Sequence, residues 1–283
     1  MNILSLFDGI SCARVALDVA GIPVNKYYSC EIEKNAIKVS KKNYPDIISL
    51  GSVIDFQKDM IKEPIDLLIG GSPCQDLSII KKERKGLEGD KSSLFYEYVR
   101  IKNEINPKYF ILENVASMKK EDKDIISGIM GCEPVMFNAS LVSAQTRKRY
   151  FWTNIQFDLP ADRGILLKDI LHPDAEVDER MVNKEGKAYV LTASYSGACE
   201  KHSVEKKQRT MVKFNETAQT GKNAICNSMV KVGHIRKLTP IECERLQSLP
   251  DNYTEGIAVT NRYKCLGNAF NVEVVSHILK QIN

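Results

Sequence analysis

No stretch of about 18 uninterrupted apolar residues runs through the 283-residue chain, so a membrane span is not expected. The apolar start MNILSLFDGIS has no basic leader and reaches Asp8 too soon for a secretory signal. A cytoplasmic location is the expectation. The eight cysteines form no C-x-x-C pair and the four histidines do not gather beside them. That excludes a zinc site and a small disulfide scaffold, so no metal is expected and the thiols are reduced. The G-x-G-x-x-G fingerprint is missing too, which disfavours a nicotinamide or flavin enzyme. There is no internal repeat or low-complexity tract, and the net charge of +4 says little by itself.

What is present is ordinary for a soluble globular protein: 43% hydrophobic and 27% charged residues, enough chain for one large domain or two unequal ones. Short apolar runs (NILSLF, KYYSCEI, IISL, IDLLIGG, YFILENV, PVMFNA, RYFWTNI) alternate with amphipathic segments such as SLFYEYVRIKNEI. That rhythm predicts an α/β fold built on a mostly parallel sheet. Ligands of such sheets bind beyond the carboxyl ends of the strands, where Phe7, Glu31, Ser72 to Cys74 and Glu113 fall. From about residue 158 the composition turns polar, basic and loop-rich, predicting a smaller domain. Within it, between residues 180 and 237, twelve lysines and arginines face four glutamates, a surface that suits a polyanion or simply solvent. Thr239, Pro240 and Glu242 predict a helix start, and NVEVVSHILKQI a closing helix on the sheet.

Three constellations carry chemistry. In LFDGIS, Gly9 permits close approach of a ligand to the backbone, ahead of a helix that begins near Ser11 and ends at Gly21. Glu31, about twenty residues on, stands where such folds bind ribose hydroxyls, unless it is only a rim carboxylate. Together they suggest an adenosine-containing ligand. In GGSPCQ, Gly70, Gly71 and Pro73 force a sharp strand exit that displays Cys74, although a free cysteine is as readily a small buried hydrophobe. Paired with Glu113 of ENV, a thiolate and an acid able to protonate a ring nitrogen suit covalent catalysis on a pyrimidine. In QTRKRYFW, Gln145, Arg147 and Arg149 alternate on one face of an extended segment, suited to carbonyl and phosphate oxygens or to a plain surface role.

The ordered set LFDGIS, GGSPCQDLS, ENV, QTRKR, LTPIECERLQSLP and LGNAFNVEVV resembles the cytosine-C5 DNA methyltransferases over nearly the whole chain. The first 157 residues look most like the de novo branch, while the compact length suits a bacterial or phage enzyme. The resemblance implies a Rossmann-like S-adenosylmethionine-binding sheet with helices on both faces, formed by residues 1–178 and 262–283, and a target-recognition domain over 179–261.

It also implies roles. Cys74 would attack C6 of a flipped-out cytosine while Glu113 protonates N3, Asn114 would hold Glu113 and the base edge, and Arg149 would bind O2 with Arg147 in support. Phe7, Asp8, Gly9, Ile10, Glu31, Ile32, Val53, Leu94, Asn268 and Phe270 would hold S-adenosylmethionine and its product S-adenosylhomocysteine. Ser52 stands where many relatives carry an acid that reads the adenine amino group, and Asp55 is out of register for that task. Ser72, Pro73, Gln75 and Gln145 are candidate substrate contacts; Tyr195 is either a groove contact or a structural tyrosine. Double-stranded DNA is the implied partner, with a cognate restriction endonuclease as a candidate second one, and the location would be cytoplasmic, at the nucleoid in a bacterium. A transfer-RNA methyltransferase and a catalytically silent DNA-binding relative are the rivals; both Cys74 and Glu113 are present, against the second.

Overall fold

The structure, a computed structural model, describes residues 1–73, 94–214 and 235–282. Its chain divides into two units: residues 1–138, 148–159 and 274–283, and residues 139–147 and 160–273.

The first unit carries a seven-stranded sheet in the order β3-β2-β1-β4-β5-β7-β6. These strands are β1 (Asn2–Leu6), β2 (Lys26–Cys30), β3 (Ile48–Gly51), β4 (Leu67–Gly71), β5 (Tyr109–Val115), β6 (Val135–Asn138) and β7 (Lys148–Thr153). All seven coincide with the apolar runs of the sequence. Strands β3, β2, β1, β4 and β5 are parallel, and β7 runs antiparallel to both β5 and β6. Near-continuous burial along β1, β2 and β4 requires cover on both faces. One face, through Leu4, Leu6, Tyr28, Leu68, Leu112 and Trp152, packs on Phe95, Tyr98 and Ile101 of α3 (Leu94–Ile105) and on Ile126 and Met130 of α4 (Lys120–Met130). On the other face, His277 of α8 (Val272–Leu279) meets the ring of Phe137 at 5.7 Å. Helix α1 (Cys12–Ala20) starts after Ser11 and is ended by left-handed Gly21; α2 (Lys34–Asn43) follows β2.

Gly70 has a role beyond the turn after β4. A Cβ there would fall 2.7 Å from the carbonyl oxygen of Leu6, so the first glycine of the pair is demanded inside the sheet.

The second unit has a three-stranded antiparallel sheet of β8 (Ala175–Val177), β9 (Met211–Phe214) and β10 (Ile235–Lys237), in the order β10-β9-β8. Short helices α5 (Glu200–Val204), α6 (Pro240–Leu246) and α7 (Val259–Asn268) accompany it. Thr239 and Glu242 close the expected reciprocal cap on α6: the Glu242 N–H donates to Thr239 Oγ1 at 3.2 Å, and the Thr239 N–H to Glu242 Oε2 at 2.7 Å.

The division departs from the boundaries expected at 178 and 262. The second unit starts at residue 160, where the composition changes, and also takes in 139–147 and 262–273. Side-chain hydrogen bonds from Gln145 and Arg147 to backbone around 191, 246 and 267–269 are the physical reason.

Candidate active site

The loop from β1 to α1 is unusual in its backbone. Phe7, Gly9 and Ser11 all adopt left-handed conformations, at φ 55°, 60° and 60°. Each non-glycine residue there costs about 1–2 kcal/mol, so the surrounding contacts must hold the loop. Those contacts centre on Asp8. Its buried carboxylate accepts from the hydroxyls of Ser5 and Tyr27 at 2.6 Å each, Ser11 at 2.5 Å and Ser29 at 3.1 Å. Burial pushes the Asp8 pKa up, and the four hydroxyls act against that rise. Asp8 therefore does not line a pocket with its side chain, as expected, but anchors the loop from behind.

Gly9 faces the other way. A Cβ added to it would meet nothing within 4 Å, and its N–H donates to Glu31 Oε2 at 2.7 Å. The other Glu31 oxygen accepts from the N–H groups of Ile32 at 2.7 Å and Glu33 at 2.8 Å. A carboxylate has about four lone-pair sites, so a fixed acceptor remains for a ribose hydroxyl. Ile32 is 73% exposed beside it, an apolar side chain free to cover a heterocycle. Ile10 is buried, so a contact from it would run through its backbone. Cys30 is no rival nucleophile: burial, then the charges of Asp8 and Glu31, push its thiol up to about 12.

Beyond β3, Ser52 spends its hydroxyl on the N–H of Ile54, accepting at 3.2 Å. Val53 is buried, and its carbonyl accepts from Arg100 of α3 at 3.0 Å. Leu94, half-buried at the start of α3, packs against the same core. Asn268 is exposed and Phe270 half-buried at the end of α7. An open, strained glycine loop, a backbone-held carboxylate and an exposed isoleucine fit an adenosine-bearing cofactor.

On the neighbouring strands, antiparallel pairing of β5 and β7 puts Glu113 opposite Phe151 and Arg149 opposite Val115, which leaves Glu113 and Arg149 on one face. Arg149 Nε lies 2.7 Å from Glu113 Oε1, with side chains 16% and 13% exposed. An acid and a cation thus form a half-buried, preorganised pair. Asn114 points the opposite way: 1% exposed, it donates to Ser72 O at 3.3 Å and Ser72 Oγ at 3.1 Å. It ties the end of β5 to the stem of the GGSPCQ turn and does not hold Glu113. Ser72 is buried and Pro73 half-buried; Cys74 and Gln75 lie outside the described residues.

Two other expectations are corrected, and the open reading of Tyr195 is decided. Gln145 is fully buried and donates to Leu246 O and Gln247 Oε1. Arg147, 4% exposed, donates to the carbonyls of Leu191, Gly267 and Ala269. Both bind their own backbone, so alternation from 145 to 149 does not make one substrate-facing row. Tyr195 is 1% exposed and donates to Thr210 O, which makes it structural and not a groove contact. The basic segment is also partly internal: Lys187 is buried on Ser140 O, and Arg236 is paired at 2.7 Å with buried Glu242. Arg180, Lys184, Lys201, Lys206, Lys207 and Lys213 are the exposed bases that remain in the described segment.

Sequence reasoning missed the Asp8 cage and the Arg100 clamp. A signal for the cage existed, because Ser5 and Ser29 interrupt otherwise apolar strands and are direct partners in the β1–β2 register.

The profile of the C-5 cytosine-specific DNA methylases matches residues 1–185 and 168–283. The chain belongs to this family. Type II methyltransferase M.HhaI of Haemophilus parahaemolyticus is 26% identical over 100% of the chain and 94% of its own length. M.HpaII of Haemophilus parainfluenzae is 26% identical over 99% and 88%. The solved structure of the Entamoeba histolytica methyltransferase EhMeth, at 17% identity over 99% of the chain and 97% of its own, shares the fold with a TM-score of 0.71. The methylase is a DNA cytosine-C5 methyltransferase with the mixed α/β architecture of that family, whose methyl donor is S-adenosylmethionine. Among the described residues no helix is long and apolar enough to cross a membrane, and no group of three or more His, Cys, Asp or Glu could hold a metal ion.

Proposed function

We propose that Cys74, Glu113 and Arg149 carry methyl transfer to cytosine C5 in duplex DNA, and that the Gly9 loop with Glu31 holds the methyl donor. The observation that carries the reading is the Glu113–Arg149 pair at the end of β5, one strand from the stem that leads into Cys74. Cytosine C6 is a weak electrophile until N3 receives a hydrogen bond or proton. Glu113, protonated on the oxygen that Arg149 does not occupy, donates that proton to N3 and recovers it when the ring is restored, and Arg149 turns an N–H of its guanidinium to O2. The Cys74 thiolate then adds to C6, and the electron pair displaced from the C5–C6 bond makes C5 nucleophilic. S-adenosylmethionine, when bound, supplies the electrophilic methyl group. Loss of the C5 proton to a base and expulsion of the Cys74 sulfur restore the aromatic ring, now methylated.

Because C5 and C6 are shielded in a stacked duplex, the base must leave the helix before Cys74 can reach it. The second unit is proposed to bind the DNA, with the exposed bases of 184–213 on phosphates. A cognate endonuclease would recognise the same short motif.

Bisulfite sequencing of DNA from a host without cytosine-C5 methylation, expressing either the wild type or Cys74→Ser, tests the reading. Methylation at a recurring motif with the wild type alone is the expected result. Unmethylated DNA from soluble wild-type protein would move RNA to the front as substrate.

A further inference from the structure

The β1–α1 loop holds three left-handed residues in five positions, and Asp8 lies among them. A carboxylate can only accept, so all four hydroxyls around it donate: Ser5 and Tyr27 to Oδ1, Ser11 and Ser29 to Oδ2. Each oxygen therefore takes one donor from the β1–loop segment and one from β2. The Asp8 N–H donates to Cys30 O at 3.2 Å, and its carbonyl accepts from Ser11 N at 3.1 Å. Ser11 Oγ is in turn bonded to Ser40 of α2. These links join the end of β1, the loop and the end of β2, and so fix where Gly9 stands relative to Glu31.

We infer that the hydroxyl cage around Asp8 positions the cofactor loop: Tyr27, Ser29 and Ser5 act through Asp8 to hold Gly9 and Glu31 in the register that binds S-adenosylmethionine. None of these side chains touches the ligand; each is a positioning residue. The inference rests on the cofactor assignment above. In a loop that is strained at Phe7 and Ser11, removing a buried donor releases the strain by letting the turn relax, and the binding register is lost with it. At the β4 and β5 ends the side chains of Ser72 and Glu113 are held by Asn114 and Arg149 and not by the cage, and are expected to keep that arrangement.

The test is calorimetric titration of S-adenosylhomocysteine into the purified full-length wild type, Tyr27→Phe, Ser29→Ala and Asp8→Asn. Duplex plasmid DNA binding, and KM for S-adenosylmethionine against kcat, are measured alongside. A hydrogen bond to a buried charge should be worth about tenfold or more in affinity, so Tyr27→Phe and Asp8→Asn should weaken cofactor binding by at least that factor. Ser29→Ala, which removes the longest bond of the cage, should weaken it by about threefold. DNA affinity should stay within about twofold, with the loss in KM and not in kcat. The Tyr27→Phe/Asp8→Asn double variant should be no weaker than Asp8→Asn alone. Should Asp8→Asn not fold, Tyr27→Phe and Ser29→Ala carry the same comparison. Folded variants that bind like the wild type, or that lose cofactor and DNA binding equally, would overturn the inference. A wild type that does not bind S-adenosylhomocysteine would overturn the cofactor assignment itself, a result distinct from unchanged variants.

Discussion

The two units of the methylase stabilise themselves differently. In the first, the central strands β1, β2, β4 and β5 are buried along most of their length, and the largest group of buried polar side chains described there is the Asp8 cage. In the second, the three strands are only three or four residues long, and buried charges add cross-links to their core. Arg236 meets Glu242, Arg262 meets Glu244, Lys187 reaches the backbone near Ser140, and Arg147 joins three carbonyls. The carboxylates differ in the same sense. Burial drives Asp8 upward, whereas Glu242, although burial alone would raise it, is brought below its ordinary value by Arg236. Hydrogen bonds from Arg180 and Arg245 lower Asp178 and Asp251. A small sheet needs polar cross-links to select one arrangement, while a large one can confine polarity to the place where a ligand is to be held.

The sharpest way to separate the chemistry proposed for the first unit from the DNA binding proposed for the second is Cys74→Ser. Turnover should fall by more than about a thousandfold while S-adenosylhomocysteine and DNA affinities persist, measured by methyl incorporation and titration. Glu113→Gln should come next, slowing single-turnover methylation by about a hundredfold to ten-thousandfold without weakening cofactor binding.

Breaking the second unit's lattice should leave chemistry-bearing groups intact but cost stability. Glu242→Gln strands the buried Arg236 guanidinium and should cost about 3–5 kcal/mol, read by denaturant unfolding. Acid should do the same reversibly. Lowered carboxylates contribute stability above the ordinary carboxylate range, and that contribution is lost as pH falls through their depressed values. Asp8, being raised, works in the opposite sense: its folded form binds the proton more tightly, so acidification through its pKa favours the folded state. Hydrogen exchange followed from pH 7 down to about 2 should therefore show residues 160–273 losing protection before the strands around Asp8. Equal loss in both units would erase the contrast. The smallest effect is expected for Lys206→Ala with Lys207→Ala, which should flatten the salt dependence of DNA binding by about 2 in the log–log slope.

All seven strands of the main sheet, the caps of α1 and α6 and the closing helix were legible in the sequence, because each is set by short-range periodicity and by local hydrogen bonding. The expected rim positions of Glu31 and Glu113 follow from parallel strands ending on one side, whereas Arg149 meets Glu113 because β7 runs antiparallel to β5. Local pattern could not tell which face of an irregular segment would be buried. Gln145 and Arg147 have the alternation of a substrate-facing row, yet their partners lie between 44 and 122 residues away in the chain. Tyr195 was ambiguous for the same reason, and the boundary of the second unit followed those long-range bonds and not the sequence blocks. The sequence by itself determined the sheet, its loops and the chemical identity of the groups at its rim, through propensity and spacing. Only the tertiary structure decided that Asp8 turns inward to four hydroxyls, that Asn114 serves Ser72, and that Lys187 and Arg236 of the basic segment are internal, because a polar side chain's partner is chosen by what burial leaves within reach.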